Sequence, residues 1–99
     1  MTFDIYEFTA TEAGFDNYTF RGYLLPTGEV LCPEAQTNDT FYQSLDAVDA
    51  HGGATVQSYA KTGETVNFTE DKLREAIKGT ASEFGNDAIP RSLLHWLEE

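Results

Sequence analysis

Asn17-Tyr18-Thr19-Phe20-Arg21-Gly22-Tyr23-Leu24-Leu25-Pro26-Thr27-Gly28-Glu29-Val30-Leu31-Cys32-Pro33 is the stretch on which the fold turns. Its first half, to Leu25, is rich in aromatic residues and other strand formers. Pro26-Thr27-Gly28-Glu29 then carries turn chemistry, because proline fixes φ and glycine is free to adopt a positive one. Val30-Leu31-Cys32 reads as the returning strand, and Pro33, which has no N–H to donate, stops it. Two strands joined by so short a turn pair antiparallel, so the expected sheet is antiparallel.

Upstream, residues 2–9 (Thr-Phe-Asp-Ile-Tyr-Glu-Phe-Thr) form a further strand whose alternation slips between Ile5 and Tyr6, which predicts a bulge there. Residues 10–16, with Gly14, read as a loop. Downstream the period changes. Phe41, Leu45 and Val48 stand at i, i+4 and i+7, which predicts a helix from Asp39 to His51 ended by Gly52-Gly53. Residues 54–60 and 64–68 read as a hairpin around Lys61-Thr62-Gly63-Glu64. A second helix over 70–84 is capped by Thr69, buries Leu73, Ala76, Ile77, Thr80, Ala81 and Phe84, and ends at Gly85. Ile89 to Leu97 reads as a short helix with Pro90 in its first turn.

The expected fold class is therefore α+β: one domain over 1–99, in the order β-β-β-α-β-β-α-α. An antiparallel sheet of four to five strands carries the two main helices on one face and the short C-terminal helix. Pro26-Thr27-Gly28-Glu29-Val30 and Lys61-Thr62-Gly63-Glu64-Thr65 resemble one another. They reflect either a duplicated ββα unit or the frequency of Thr-Gly-Glu in turns.

Seventeen Asp and Glu oppose six Lys and Arg, for a net charge of −11 and a pI near 4.3. The first 60 residues carry nine of the acids against Arg21 alone. So acidic a chain is repelled by nucleic acid and by anionic membranes, and is attracted to basic protein surfaces or adapted to high salt. The opening Met-Thr-Phe-Asp-Ile-Tyr lacks the basic and apolar regions of a signal peptide, and no apolar run reaches the ~18–20 residues that span a bilayer. With Cys32 as the single cysteine, a cytoplasmic location is expected.

Chemistry-bearing residues are few. Cys32, at a strand end and without a nearby His, reads as packing. His51 suits the negative end of the expected first helix. His95 lies in an amphipathic stretch beside Trp96. No CxxC, HExxH, EF-hand or phosphate-binding glycine pattern occurs. No metal, cofactor or catalytic activity is expected.

The candidate site is a contact surface. On a helix from 39 to 51, Asp39, Tyr42, Asp46 and Asp49 share a side away from the apolar stripe. Asp39 and Asp46 lie about 10 Å apart along the axis, a row of carboxylates comparable with a string of phosphates. Asp16, Glu29 and Glu34 are outlying charges. Nine of the thirteen aromatics fall in the first 42 residues. Among them Tyr6, Tyr18, Tyr23 and Tyr42 can offer rings to a partner while keeping their hydroxyls wet. Leu93, Leu94, Trp96 and Leu97 are apolar on more than one side. They either wedge between sheet and helix or form a homodimer contact.

In length, charge, single free cysteine and lack of catalytic motifs, the chain resembles the small acidic proteins that phages direct against host defence, the anti-CRISPR and antirestriction proteins. The resemblance implies a non-catalytic protein that occludes a basic nucleic-acid-binding surface of a host nuclease or CRISPR-type complex as a nucleic-acid mimic. It transfers no residue role. The alternative expectation is an immunity protein or antitoxin that neutralises a basic toxin.

Overall fold

Phe3 and Phe8 lie an odd number of residues apart on one strand, so their side chains leave opposite faces of the sheet, and both are fully buried. Two packed layers follow. The computed structural model describes residues 1–12, 14, 16–33, 40–50 and 54–98. Its strands are β1 (Thr2–Thr11), β2 (Tyr18–Leu24), β3 (Val30–Cys32), β4 (Thr40–Tyr42) and β5 (Thr55–Asn67), followed by α1 (Glu70–Phe84). They form one five-stranded antiparallel sheet in the order β4-β3-β2-β1-β5. The α+β class and the antiparallel sheet agree with the sequence reading.

One face of the sheet packs on α1. Phe3, Leu31, Phe41 and Phe68 meet Leu73 and Ile77 of the helix, with Ile89 and Leu93 closing the cluster. Thr69 caps α1 by accepting the Lys72 N–H (3.1 Å), and Glu70 and Asp71 sit at its positive end. Gly85, at φ +89°, ends it, as its sequence position suggested. Buried Thr80 satisfies its hydroxyl on the Ala76 carbonyl one turn back (2.9 Å). The expected stripe fails only at Phe84, which is 45% exposed; Ile89, returned by the turn at Gly85, enters the cluster instead.

The helix expected from 39 to 51 is absent among the described residues of that segment. Thr40–Tyr42 is a strand paired with β3, with Leu31 opposite Phe41 and Val30 opposite Tyr42, and Leu45–Ala47 is a single 3₁₀ turn. Phe41 enters the α1-side cluster, whereas Leu45 and Val48 pack with Tyr42 on the other face against Phe8, Val30 and Cys32. The three apolar residues serve two faces, which one helical stripe cannot do. Asp, Ser, Thr and aromatic residues also give the segment little helix propensity. Gly52-Gly53 and His51 lie outside the described residues.

The hairpin expected around 61–64 is a bulge instead. β5 runs straight through, with Tyr6 opposite Lys61 and Asp4 opposite Thr65, so that Thr62, Gly63 and Glu64 together face Ile5. The turn chemistry is real: Gly63 has φ +87°, and the Glu64 N–H donates to the Thr62 hydroxyl (3.1 Å). That hydroxyl in turn donates to the Ile5 carbonyl (2.8 Å), replacing the lost ladder bond. β1 continues to pair on both sides of the bulge, so the chain does not reverse. The slip between Ile5 and Tyr6 thus belongs to β5; the pairing of β1 with β2 is unbroken. The look-alike Pro26-Thr27-Gly28-Glu29 does reverse the chain, with Leu25 N–H to Glu29 carbonyl at 2.8 Å. The two segments are therefore not equivalent units. The C-terminal helix is 3₁₀ over Arg91–Glu98, with Pro90 just before it. Leu93 is buried in the core, and Leu94, Trp96 and Leu97 pack half-buried against it, the wedge arrangement.

Gly22 shows how tight the second face is. A Cβ there would stand 2.7 Å from the Phe8 ring and 2.9 Å from Val30. Gly22→Ala is expected to cost about 2 kcal/mol by overpacking. Gly79→Ala, in open space on α1, is expected to gain about 0.5–1 kcal/mol. Urea unfolding of both variants checks the pair, and equal shifts would contradict this packing.

Candidate partner-binding faces

The second face of the sheet carries a cross-strand aromatic row. Phe8 of β1 lies opposite Phe20 of β2 and Tyr59 of β5. The Phe8 ring stacks on Phe20 (5.2 Å between centroids, 12° apart) and meets Tyr59 at 5.5 Å. Tyr18 extends the row past Phe20 (6.3 Å), and Tyr6 meets Tyr59 edge to face (6.1 Å). Such pairs favour one register and one face. Tyr18 and Tyr59 remain more than one-third exposed. Tyr23 leaves the opposite face and packs on Phe68 (5.9 Å).

Acidic residues border this row. The Tyr59 hydroxyl donates to an Asp46 carboxylate oxygen (2.6 Å), and the Tyr42 hydroxyl donates to the Asp49 carbonyl (3.4 Å). The Asp46 bond, followed by desolvation, raises the Tyr59 pKa; burial, together with the Asp49 charge, raises that of Tyr42. Both phenols therefore stay protonated, as donors. Asp46 and Asp49 are exposed, and both belong to the segment that follows β4. The structure thus keeps Tyr42, Asp46 and Asp49 together, although on a strand end and a 3₁₀ turn rather than along a helix. Asp39 and Glu34 fall outside the described residues. Asp16 is exposed in the β1–β2 connection. Tyr59 was missed by the sequence reading, which placed it in one arm of a hairpin.

Glu29 is a correction of a different kind. It is 3% exposed, not an outlying surface charge. One carboxylate oxygen accepts from the Thr27 hydroxyl and the other from Ser92. Burial works to raise its pKa, but the hydrogen bonds from Ser92, Thr27 and its own backbone N–H, with the attraction of His95, outweigh it and hold the pKa below the ordinary value. A period of two from buried Leu31 places Glu29 on the core face, the sequence signal that could have identified it.

Cys32 is fully buried against Phe8 and Val30, and burial pushes its thiol up to about 12, so it acts as packing. Ser92 donates to Glu29, and the His95 ring lies beside Trp96 at 5.8 Å. No group of three His, Cys, Asp or Glu residues able to hold a metal occurs among the described residues. Comparison with protein-family models, curated proteins and solved structures finds no match.

The lowered pKa of Glu29 has a consequence for acid stability. A carboxylate whose pKa is lower in the folded than in the unfolded state stabilises the fold above the unfolded value, and that contribution is lost as the pH falls through the folded value. The stability advantage of the wild type over Glu29→Gln should be constant at neutral pH and shrink below the ordinary value of 4.5. Urea titrations across that range measure it; an advantage that grows on acidification would reverse the assignment.

Proposed function

We propose that the protein is a non-catalytic acidic binding protein that occludes a basic nucleic-acid-binding surface of a host nuclease or CRISPR-type complex, acting as a nucleic-acid mimic in the host cytoplasm. The observation that carries this reading is the acid-and-tyrosine patch of exposed Asp46, Asp49 and Tyr59 beside half-buried Tyr42, on a chain with a net charge of −11. Carboxylates there can occupy Arg and Lys side chains that otherwise hold phosphate, while tyrosine rings supply contact area at low entropic cost. The remaining acids raise the encounter rate with a basic surface. Among the described residues no helix is long and apolar enough to cross a membrane.

Neutralisation of a basic toxin would use the same surface, and the identity of the captured protein separates the two readings. Homodimerisation through the C-terminal segment is left with Leu94, Trp96 and Leu97, since Leu93 is committed to the core.

Affinity capture from a host lysate should recover a basic nucleic-acid-handling protein. With that partner, Asp46→Asn combined with Asp49→Asn is expected to slow association about three- to tenfold at low salt. The difference should narrow at physiological salt, where exposed charges are screened beyond about 8 Å. Stopped-flow kinetics provide the test. An on-rate indifferent to both salt and the two substitutions would remove charge from the recognition mechanism.

A further inference from the structure

Glu29 does more than join two hydroxyls: it is among the residues that line a cavity of about 220 Å³ between the β2–β3 turn, α1 and the C-terminal 3₁₀ helix. The walls include Leu25, Leu73 and Leu93, with Ser92 and His95, both exposed, on the solvent side. Drug-sized and cofactor sites begin at about 300 Å³, so this volume suits a single side chain rather than a nucleotide or prosthetic group. Its chemistry is that of an apolar sleeve with one anion. Thr27 and Ser92 each fill one position on a different carboxylate oxygen. A carboxylate has about four acceptor positions, and with its own backbone N–H bound as well, about one is left. No Lys or Arg is paired with Glu29 among the described residues. Its hydroxyl donors are neutral and the attraction of His95 comes from the rim, so a cation seated against the carboxylate would add a charge-assisted hydrogen bond.

We propose that this cavity is a slot for one arginine or lysine side chain of the protein partner. The methylene stem lies along the leucines and the cationic head pairs with Glu29. The inference rests on the reading that the partner is basic, and adds a buried anchor to the exposed patch. Ligands with an apolar stem and a charged head match both halves of the slot. A divalent metal does not, because it requires about six oxygen ligands and, among the described residues, Glu29 is the single carboxylate lining the cavity.

The test uses the whole protein and small probes. Proton–nitrogen NMR spectra are followed during titration with n-butylguanidinium, n-butylammonium and the neutral isostere n-butylurea. The cations should shift the amides of Thr27, Glu29, Ser92 and His95 and saturate with Kd on the order of 1–10 mM. n-Butylurea should bind at least about tenfold more weakly, the value of a charge-assisted hydrogen bond. Glu29→Gln should erase the difference between charged and neutral probes. Because the three probes are compared on the wild type, a poorly folded variant does not spare the proposal. Equal shifts from cations and n-butylurea, shifts confined to the Asp46–Asp49 patch, or no shift at all would leave Glu29 as a structural staple and overturn the slot. If the slot binds cations but lysate capture yields no basic protein, the basic-partner reading fails on its own. If a captured basic partner binds Glu29→Gln as tightly as the wild type, the slot fails and that reading stands.

Discussion

β1 has to be packed on both sides. Phe3 leaves it toward α1, and Phe8 leaves it toward the segment after β4, and each is fully buried. Every other element is arranged around that requirement. α1 and the C-terminal 3₁₀ helix cover the Phe3 side, whereas Leu45 and Val48 with the aromatic row cover the Phe8 side. β1 also pairs along its length with both β2 and β5, so it can shift neither in register nor in face. Gly22 belongs to the same constraint, because the Phe8 ring occupies the space in which its Cβ would stand.

The parts that could be read from the sequence are those whose signals are local. The cap at Thr69, the stripe from Leu73 to Ala81 and the stop at Gly85 need only neighbours along the chain. The reversal at Pro26-Thr27-Gly28-Glu29 is local as well. The parts that were misread depend on partners distant in sequence. Phe41, Leu45 and Val48 have helical spacing, but the empty edge of β3 recruits Thr40–Tyr42 as a strand. Lys61-Thr62-Gly63-Glu64 has hairpin chemistry, yet β1 pairs with the residues on both sides of it across a bulge. Local propensity gave way to tertiary pairing in both places. The candidate site followed the fold. Tyr42, Asp46 and Asp49 stayed together because they are close in sequence. Tyr59 could not be added, since only the order of the strands brings β5 beside that segment.

The acidity of the chain is not a source of its stability. The ion pairs Arg21–Glu64, Lys61–Asp4 and Arg74–Asp71, at 3.1–3.4 Å, each include at least one well-exposed side chain. Pairs of that kind contribute little, and an excess of like charge destabilises the compact state. The burden therefore falls on the two apolar clusters. A domain of this size has little surplus to offset so much self-repulsion.

Glu29 and Asp46 show how differently one kind of charge can be used. Asp46 is exposed, tied to a tyrosine at the sheet edge, and its field reaches an approaching molecule only through screened water. Such a charge affects how often partners meet and in what orientation. Glu29 is buried beside the cavity, so its charge is less screened than a surface charge and acts strongly on whatever enters. Its two hydroxyl donors fix the position of the carboxylate in advance, and that preorganisation lowers the cost of binding a cation. In the proposed recognition, a surface that attracts from a distance and a slot that holds at contact are complementary halves. The fold separates them, placing Asp46 on the Phe8 side of the sheet and Glu29 on the α1 side.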